Sequence, residues 1–119
     1  MLTRIQSALN NLEQIHGITV LWACESGSRA WDFASPDSDW DVRLLYVHPR
    51  DWYLSVYEER DVVELPIDEQ LDLMGWDLRK SLRLLAKANI SLHEWLVSPV
   101  VYREAEPAAW LRTLATEAF

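Results

Sequence analysis

The chain has 119 residues, half of them apolar and a quarter charged, with 19 acidic against 11 basic side chains and a net charge of −8. That length holds one modest core, no run approaches the roughly 18 apolar residues of a membrane span, and the acidic balance gives no general attraction for nucleic acid, whose binding leans on Lys and Arg. The lone Cys24 cannot form an internal disulfide and suits a reducing, cytoplasmic setting, and the first residues lack the basic-then-apolar layout of a secretory signal.

A first helix is predicted from the capping-box spacing of Thr3-Arg4-Ile5-Gln6. Leu2, Ile5, Leu9, Leu12 and Ile15 then recur at helical intervals, and Gly17 is placed to end it. Ile18 to Ala23 is a short apolar run rich in β-formers and reads as a buried strand. Glu25 to Ser38 reads as a loop, with a helical turn around Ser28 to Trp31 and turn chemistry at Ser35-Pro36-Asp37-Ser38. Trp40 to Val47 is a second strand, closed by His48-Pro49, and Arg50 to Tyr57 a short helix. Val62 to Pro66 reads as a third strand and Leu71 to Leu73 as a shorter extended piece.

Asp77 is a good N-cap for a second strong helix. Leu78, Leu82 and Leu85 share one side of it, while Arg79, Arg83 and Lys87 step along another. Ser91-Leu92-His93-Glu94 has capping-box spacing and opens a short helix that Ser98-Pro99 ends, and Pro107 sits in the first turn of a last helix. This order implies an α+β domain, a small mixed sheet with helices against it, divided into residues 1–75 (sheet and helices) and 76–119 (an all-helical extension). The last helix carries no terminal glycine or basic final turn, so continuation in a longer protein stands beside simple fraying. The seven tryptophans are spread along the whole chain, which fits packing better than one stacking platform.

The chemistry concentrates between the first two strands. On a strand, Asp39, Asp41 and Arg43 share one face while Trp40, Val42 and Leu44 take the other. Two adjacent carboxylates repel unless a cation sits between them, and a hard divalent ion such as Mg²⁺ suits carboxylate and phosphate oxygens. The competing reading is a solvated strand edge with turn aspartates after Pro36. Ten residues separate Gly27-Ser28 from Asp39. There glycine lets the backbone approach a phosphate, and Ser28 offers a hydroxyl and an N–H at a helix start. A third carboxylate would complete a two-ion site. Asp72, between Leu71 and Leu73, is favoured because it lies just before Gly75-Trp76 and the basic helix. Glu64, between Val63 and Leu65, is the alternative. Arg79 and Lys80 are the basic residues expected nearest Asp72, suited to triphosphate or a nucleic-acid backbone; the plainer reading is a solvated helix face. The histidines show no zinc spacing, and no serine or cysteine hydrolase, Walker A or Rossmann pattern is present.

Gly27-Ser28, Asp39-Trp40-Asp41-Val42 and a later apolar-flanked acid resemble the signature of the DNA polymerase β-like nucleotidyltransferase superfamily. Asp37-Ser38-Asp39-Trp40-Asp41-Val42-Arg43, Tyr46-Val47-His48-Pro49, Gly75-Trp76-Asp77-Leu78-Arg79-Lys80 and Glu94-Trp95-Leu96-Val97-Ser98-Pro99 bring it closer to a bacterial and phage branch linked by gene neighbourhood to RNA repair. The resemblance implies a palm-type sheet and transfer of a nucleoside monophosphate from an NTP, with Mg²⁺ or Mn²⁺ as cofactor. By it Gly27 and Ser28 hold the triphosphate tail, Asp39 and Asp41 bind a metal pair, and Asp72 helps bind the catalytic metal and activates the attacking hydroxyl. Arg43, Arg79 and Lys80 are the accompanying nucleotide contacts. Family members continue into further helical sequence. The acceptor is an RNA 3′ end, a protein hydroxyl or a small molecule. The rival expectations are a non-catalytic nucleotide- or partner-binding module on the same fold, and a metal-dependent nuclease or phosphatase built on the same acids.

Overall fold

The computed structural model describes residues 1–31, 39–57, 59–68 and 71–118, without the side chains of 28, 65–68 and 118. The turn expected at Ser35-Pro36-Asp37-Ser38 lies outside these described residues. Five strands form one mixed sheet. In chain order they are β1 (Thr19–Glu25), β2 (Trp40–Val47), β3 (Val62–Asp68), β4 (Leu71–Asp77) and β5 (Val101–Glu104). Their spatial order is β3-β4-β2-β1-β5. β2 and β4 run parallel at the centre, and the other neighbours pair antiparallel.

The two sheet faces are covered differently. Helix α1 (Leu2–His16) buries Ile5, Leu9 and Leu12 against Val20, Ala23, Val42, Leu44, Tyr46 and Leu73. Its apolar stripe is shorter than the periodicity suggested, since Leu2 and Ile15 at the two ends are exposed. Gly17 ends it in the left-handed region at φ 64°, as expected, and its N–H bonds to the carbonyl of Glu13. The capping box at Thr3 does not form; Met1 is the N-cap. Gln6 is drawn away to β5, where it donates to the Tyr102 carbonyl at 2.7 Å and accepts from Arg103 at 2.9 Å.

On the opposite face, α3 (Leu78–Ala86), α4 (Ile90–Leu96) and α5 (Glu106–Ala118) enclose Trp22, Cys24 and Leu45 with Leu85, Leu92, Trp95, Leu96 and Leu111. A bulge in β1 between Val20 and Trp22 turns Leu21 and Trp22 together toward these helices. Asp77 caps α3, accepting from the Arg79 N–H at 2.8 Å. The buried side of α3 carries Ser81 and Leu85, whereas Leu82 is exposed. α4 begins ahead of the expected Ser91 because Asn89 takes the N-cap and accepts from Leu92 at 2.9 Å. The expected helix at Arg50 is one turn, α2 (Arg50–Tyr53). Trp22, Trp76 and Trp95 serve packing, while Trp31 and Trp110 lie on the surface.

β4 is longer than the extended piece expected at Leu71 to Leu73, and β5 was not expected at all. Val100-Val101-Tyr102 has strand chemistry, but four residues between two helices carry little local signal. Gly75 of β4 faces Leu44 across the parallel pair, and a Cβ there would lie 2.5 Å from Leu44 Cγ. Gly75→Ala therefore overpacks the central strands. We expect it to lower stability by about 1–3 kcal/mol, read as a fall in the urea midpoint with unchanged m-value.

Candidate functional site

The polar residues of interest gather where β2 and β4 begin, on the sheet face that carries α3 to α5. In the parallel register Asp41 sits directly beside Asp72, and two residues on Arg43 sits beside Met74. Same-face residues on neighbouring strands lie close, so Asp72 is the acid that the sheet brings to Asp41. Glu64 of β3 is paired with Met74 instead, and its carboxylate is exposed and takes Arg60 at 3.3 Å. Asp39 lies just ahead of β2 and is exposed.

Arg43 answers part of the charge problem. Its guanidinium meets Asp72 Oδ2 at 3.1 Å and also donates to the carbonyls of Asp72 (3.2 Å) and Val42 (3.1 Å). Asp41 is held above the usual carboxylate range by burial first, with Arg43 opposing and the charges of Asp72 and Asp39 adding to the rise. The three aspartates therefore share one electrostatic neighbourhood. Their hard oxygen donors match Mg²⁺ in kind. Among the described residues, however, no three His, Cys, Asp or Glu side chains stand together as a ligand set.

The turn after β1 closes over Asp41. Ser28–Ala30 forms a single 3-10 turn, with the Ala30 N–H on the Gly27 carbonyl at 3.0 Å. The Ser28 side chain lies outside the described residues. A Cβ at Gly27 would overlap Asp41 Oδ2, so glycine lets this backbone pass against the carboxylate without displacing it. Arg29 sits 4.0 Å over the Trp40 ring, fastening the turn to the start of β2.

Glu25 was read only as the first residue of a loop, yet among the described residues its carboxylate gathers three donors. It is fully buried at the end of β1. Its carboxylate accepts the Asp41 N–H at 2.7 Å, the Tyr102 hydroxyl at 2.8 Å and the Gly27 N–H. Ser98 donates to its carbonyl at 2.6 Å, and its own N–H bonds to Val100. The only signal in the sequence is a charge at the end of an apolar strand. Its neighbour Cys24 is buried too, which pushes its thiol up to about 12 and removes it as a nucleophile at neutral pH.

Arg79 and Lys80 are not brought to the carboxylates. Asp77 lies five residues beyond Asp72 on β4, roughly 17 Å at about 3.3 Å per residue. Both basic side chains turn to the far end of the sheet. Arg79 lies 5.3 Å over Tyr53 and 5.6 Å over Trp52, and Lys80 reaches Asp61 at 3.9 Å. The expectation failed because nearness in sequence was taken for nearness in space, although β4 continues to Asp77.

No helix of the described residues is long and apolar enough to cross a membrane. A family model described as "RNA repair pathway DNA polymerase beta family" (RlaP) matches residues 1–119. An uncharacterized protein of Bacillus subtilis strain 168, YcgL, is 53% identical over 120 residues, covering the whole of this chain and 46% of its own length. The chain thus spans about half of that curated relative. No solved structure matches.

Burial raises the carboxyl of Glu25 in the native state. The native state therefore binds its proton to higher pH than the unfolded chain does, and stability falls as pH rises from the ordinary glutamate range through the raised native value. Asp41 contributes with the same sign. Glu25→Gln leaves one of three donors facing an amide NH₂, and we expect a loss of about 1–3 kcal/mol. It should also flatten the acid-side slope of stability, measured by urea unfolding across that pH range.

Proposed function

Because the chain belongs to the RNA repair pathway DNA polymerase beta family, we propose that it is a nucleotidyltransferase domain that moves a nucleoside monophosphate from an NTP to a hydroxyl acceptor, with an RNA 3′ end as the first acceptor to test. The observation that carries this reading is the registered pair Asp41 and Asp72 beneath a turn whose glycine makes room for the Asp41 carboxylate. A stability-only account gives no reason to set like charges side by side and then press a backbone against one of them.

In this reading Asp41, Asp39 and Asp72 hold Mg²⁺ or Mn²⁺, with Glu64 set aside because it is paired elsewhere. The bound ion supplies charge neutralisation along the triphosphate. The Gly27 and Ser28 backbone receives the triphosphate tail. Arg43, a half-buried guanidinium, sits where charge builds on the transferred phosphoryl group. Asp72 accepts the proton of the attacking hydroxyl. The acceptor oxygen bonds to the α-phosphorus, the bond from that phosphorus to the β-phosphate bridge breaks, and pyrophosphate leaves. Positioning and electrostatics supply the rate. A reducing, cytoplasmic setting belongs to the same reading.

One observation favours a second reading, a nucleotide-binding module without turnover. Asp72 is engaged by Arg43, and no three-ligand group stands ready among the described residues. Thermal melts with Mg²⁺ and each NTP, followed by labelled-NTP transfer, separate the two; stabilisation without transfer assigns the module.

Asp41→Asn with Asp39→Asn is the decisive variant. We expect transfer to fall at least about 10²–10³-fold. The midpoint of metal-free unfolding should not fall, because the substitution at position 41 removes an ionised group that burial and its acidic neighbours disfavour. Retained transfer refutes the assignment.

A further inference from the structure

The basic helix that the fold removes from the carboxylates has a surface of its own. α3 carries Arg79, Lys80 and Arg83, with Lys87 just past its end, on a chain whose net charge is −8. Arg79 and Arg83 are one turn apart, about 6 Å between Cβ atoms, and both are exposed. Neither forms an ion pair with another described residue, whereas Lys80 is spent on Asp61. Together they line a groove of about 490 Å³ whose other wall is the segment after α2, including Tyr57 and Glu59. Tyr57 is 80% exposed. Arg79 is steadied over the rings of Trp52 and Tyr53, so its guanidinium is ordered before any ligand arrives.

Two guanidinium groups at one-turn spacing suit successive phosphates, and an open tyrosine ring beside them suits a base. That pairing is how single-stranded nucleic acid is held without reading its sequence. A free triphosphate would use the charges but not the ring. An acidic protein segment would take the same two-point guanidinium contact through its carboxylates but would leave the ring unused.

We infer that this groove is a docking site for single-stranded RNA, distinct from the carboxylate centre and at the other end of the sheet. The inference deepens the transferase reading, since it names where the acceptor strand is gripped. The helix that carries the grip starts roughly 17 Å along β4 from Asp72, at about 3.3 Å per residue. Glu59 and Asp61 on the groove rim oppose nonspecific anion binding, which keeps the contact weak and salt-sensitive.

The test is fluorescence anisotropy with a labelled twelve-nucleotide oligouridylate, without NTP or metal, over a salt series. The charge-matched double variant Arg4→Ala/Arg112→Ala serves as control. We expect Arg79→Ala/Arg83→Ala to lose about tenfold in affinity and to lower the salt slope by about 1.4, Tyr57→Ala to lose affinity without changing the slope, and the control to bind as the unaltered chain does. Arg79, Arg83 and Tyr57 are exposed, and the cap on α3 uses the Arg79 backbone, so their substitution leaves the fold intact. Four results overturn the proposal: no binding by the unaltered chain, equal loss in the control, displacement by tripolyphosphate at equal phosphate concentration, or equally tight binding of an acidic peptide of the same charge. None of these touches NMP transfer. The transferase reading fails separately, if the unaltered chain transfers nothing.

Discussion

The buried carboxylate of Glu25 is the tie on which the candidate site depends. One group holds the Asp41 N–H of β2, the turn at Gly27 and the hydroxyl of an edge strand 77 residues further along the chain. A carboxylate removed from water is costly unless its oxygens are satisfied, and here three donors satisfy it. The same bonds set Asp41 against the turn and align β1 with β2. The site is therefore held by the sheet rather than by a free loop, which is the condition for placing a phosphate accurately.

Around that tie the charges are arranged in opposition. Asp41 and Asp72 stand side by side, Asp39 adds to the repulsion, and Arg43 neutralises Asp72. This leaves Asp41 less compensated than Asp72. Its unfavourable ionisation is stored by a rigid sheet, and an arriving cation would relieve it. In a molecule with eight excess negative charges, the basic side chains are placed selectively. Arg43 serves the acids and Arg103 fastens α1 to β5 through Glu13, Gln6 and Asn10, while Arg79 and Arg83 remain on the surface.

The parallel pair β2 and β4 explains why the acids and the basic helix lie at opposite ends of the sheet. Parallel neighbours put both strand starts at one edge and both strand ends at the other. The acids sit at the starts, and the capped helix α3 with its arginines leaves from the end of β4. Separation of the acids from the basic helix is thus a consequence of topology. Likewise, α1 buries the core on one face and α3 to α5 on the other.

Much of this was legible along the chain. The bounds of β2, the left-handed stop at Gly17 and the Asp77 cap follow from side-chain period and backbone preference over a few residues, and these act locally. The α+β class and the membership shown by the family match were likewise carried by contiguous motifs. Local chemistry failed where distant partners compete. Thr3 and Ser91 have capping-box spacing but cap nothing, because Gln6 is claimed by β5 and Asn89 intervenes. Glu25 was indistinguishable from a loop residue, β5 from a linker, and Arg79 and Lys80 from neighbours of Asp72. Each of those assignments rests on strand register or on contacts across dozens of residues. Only the packed sheet, by choosing which strands lie side by side, decides which of two plausible acids meets Asp41 and which charge disappears from water.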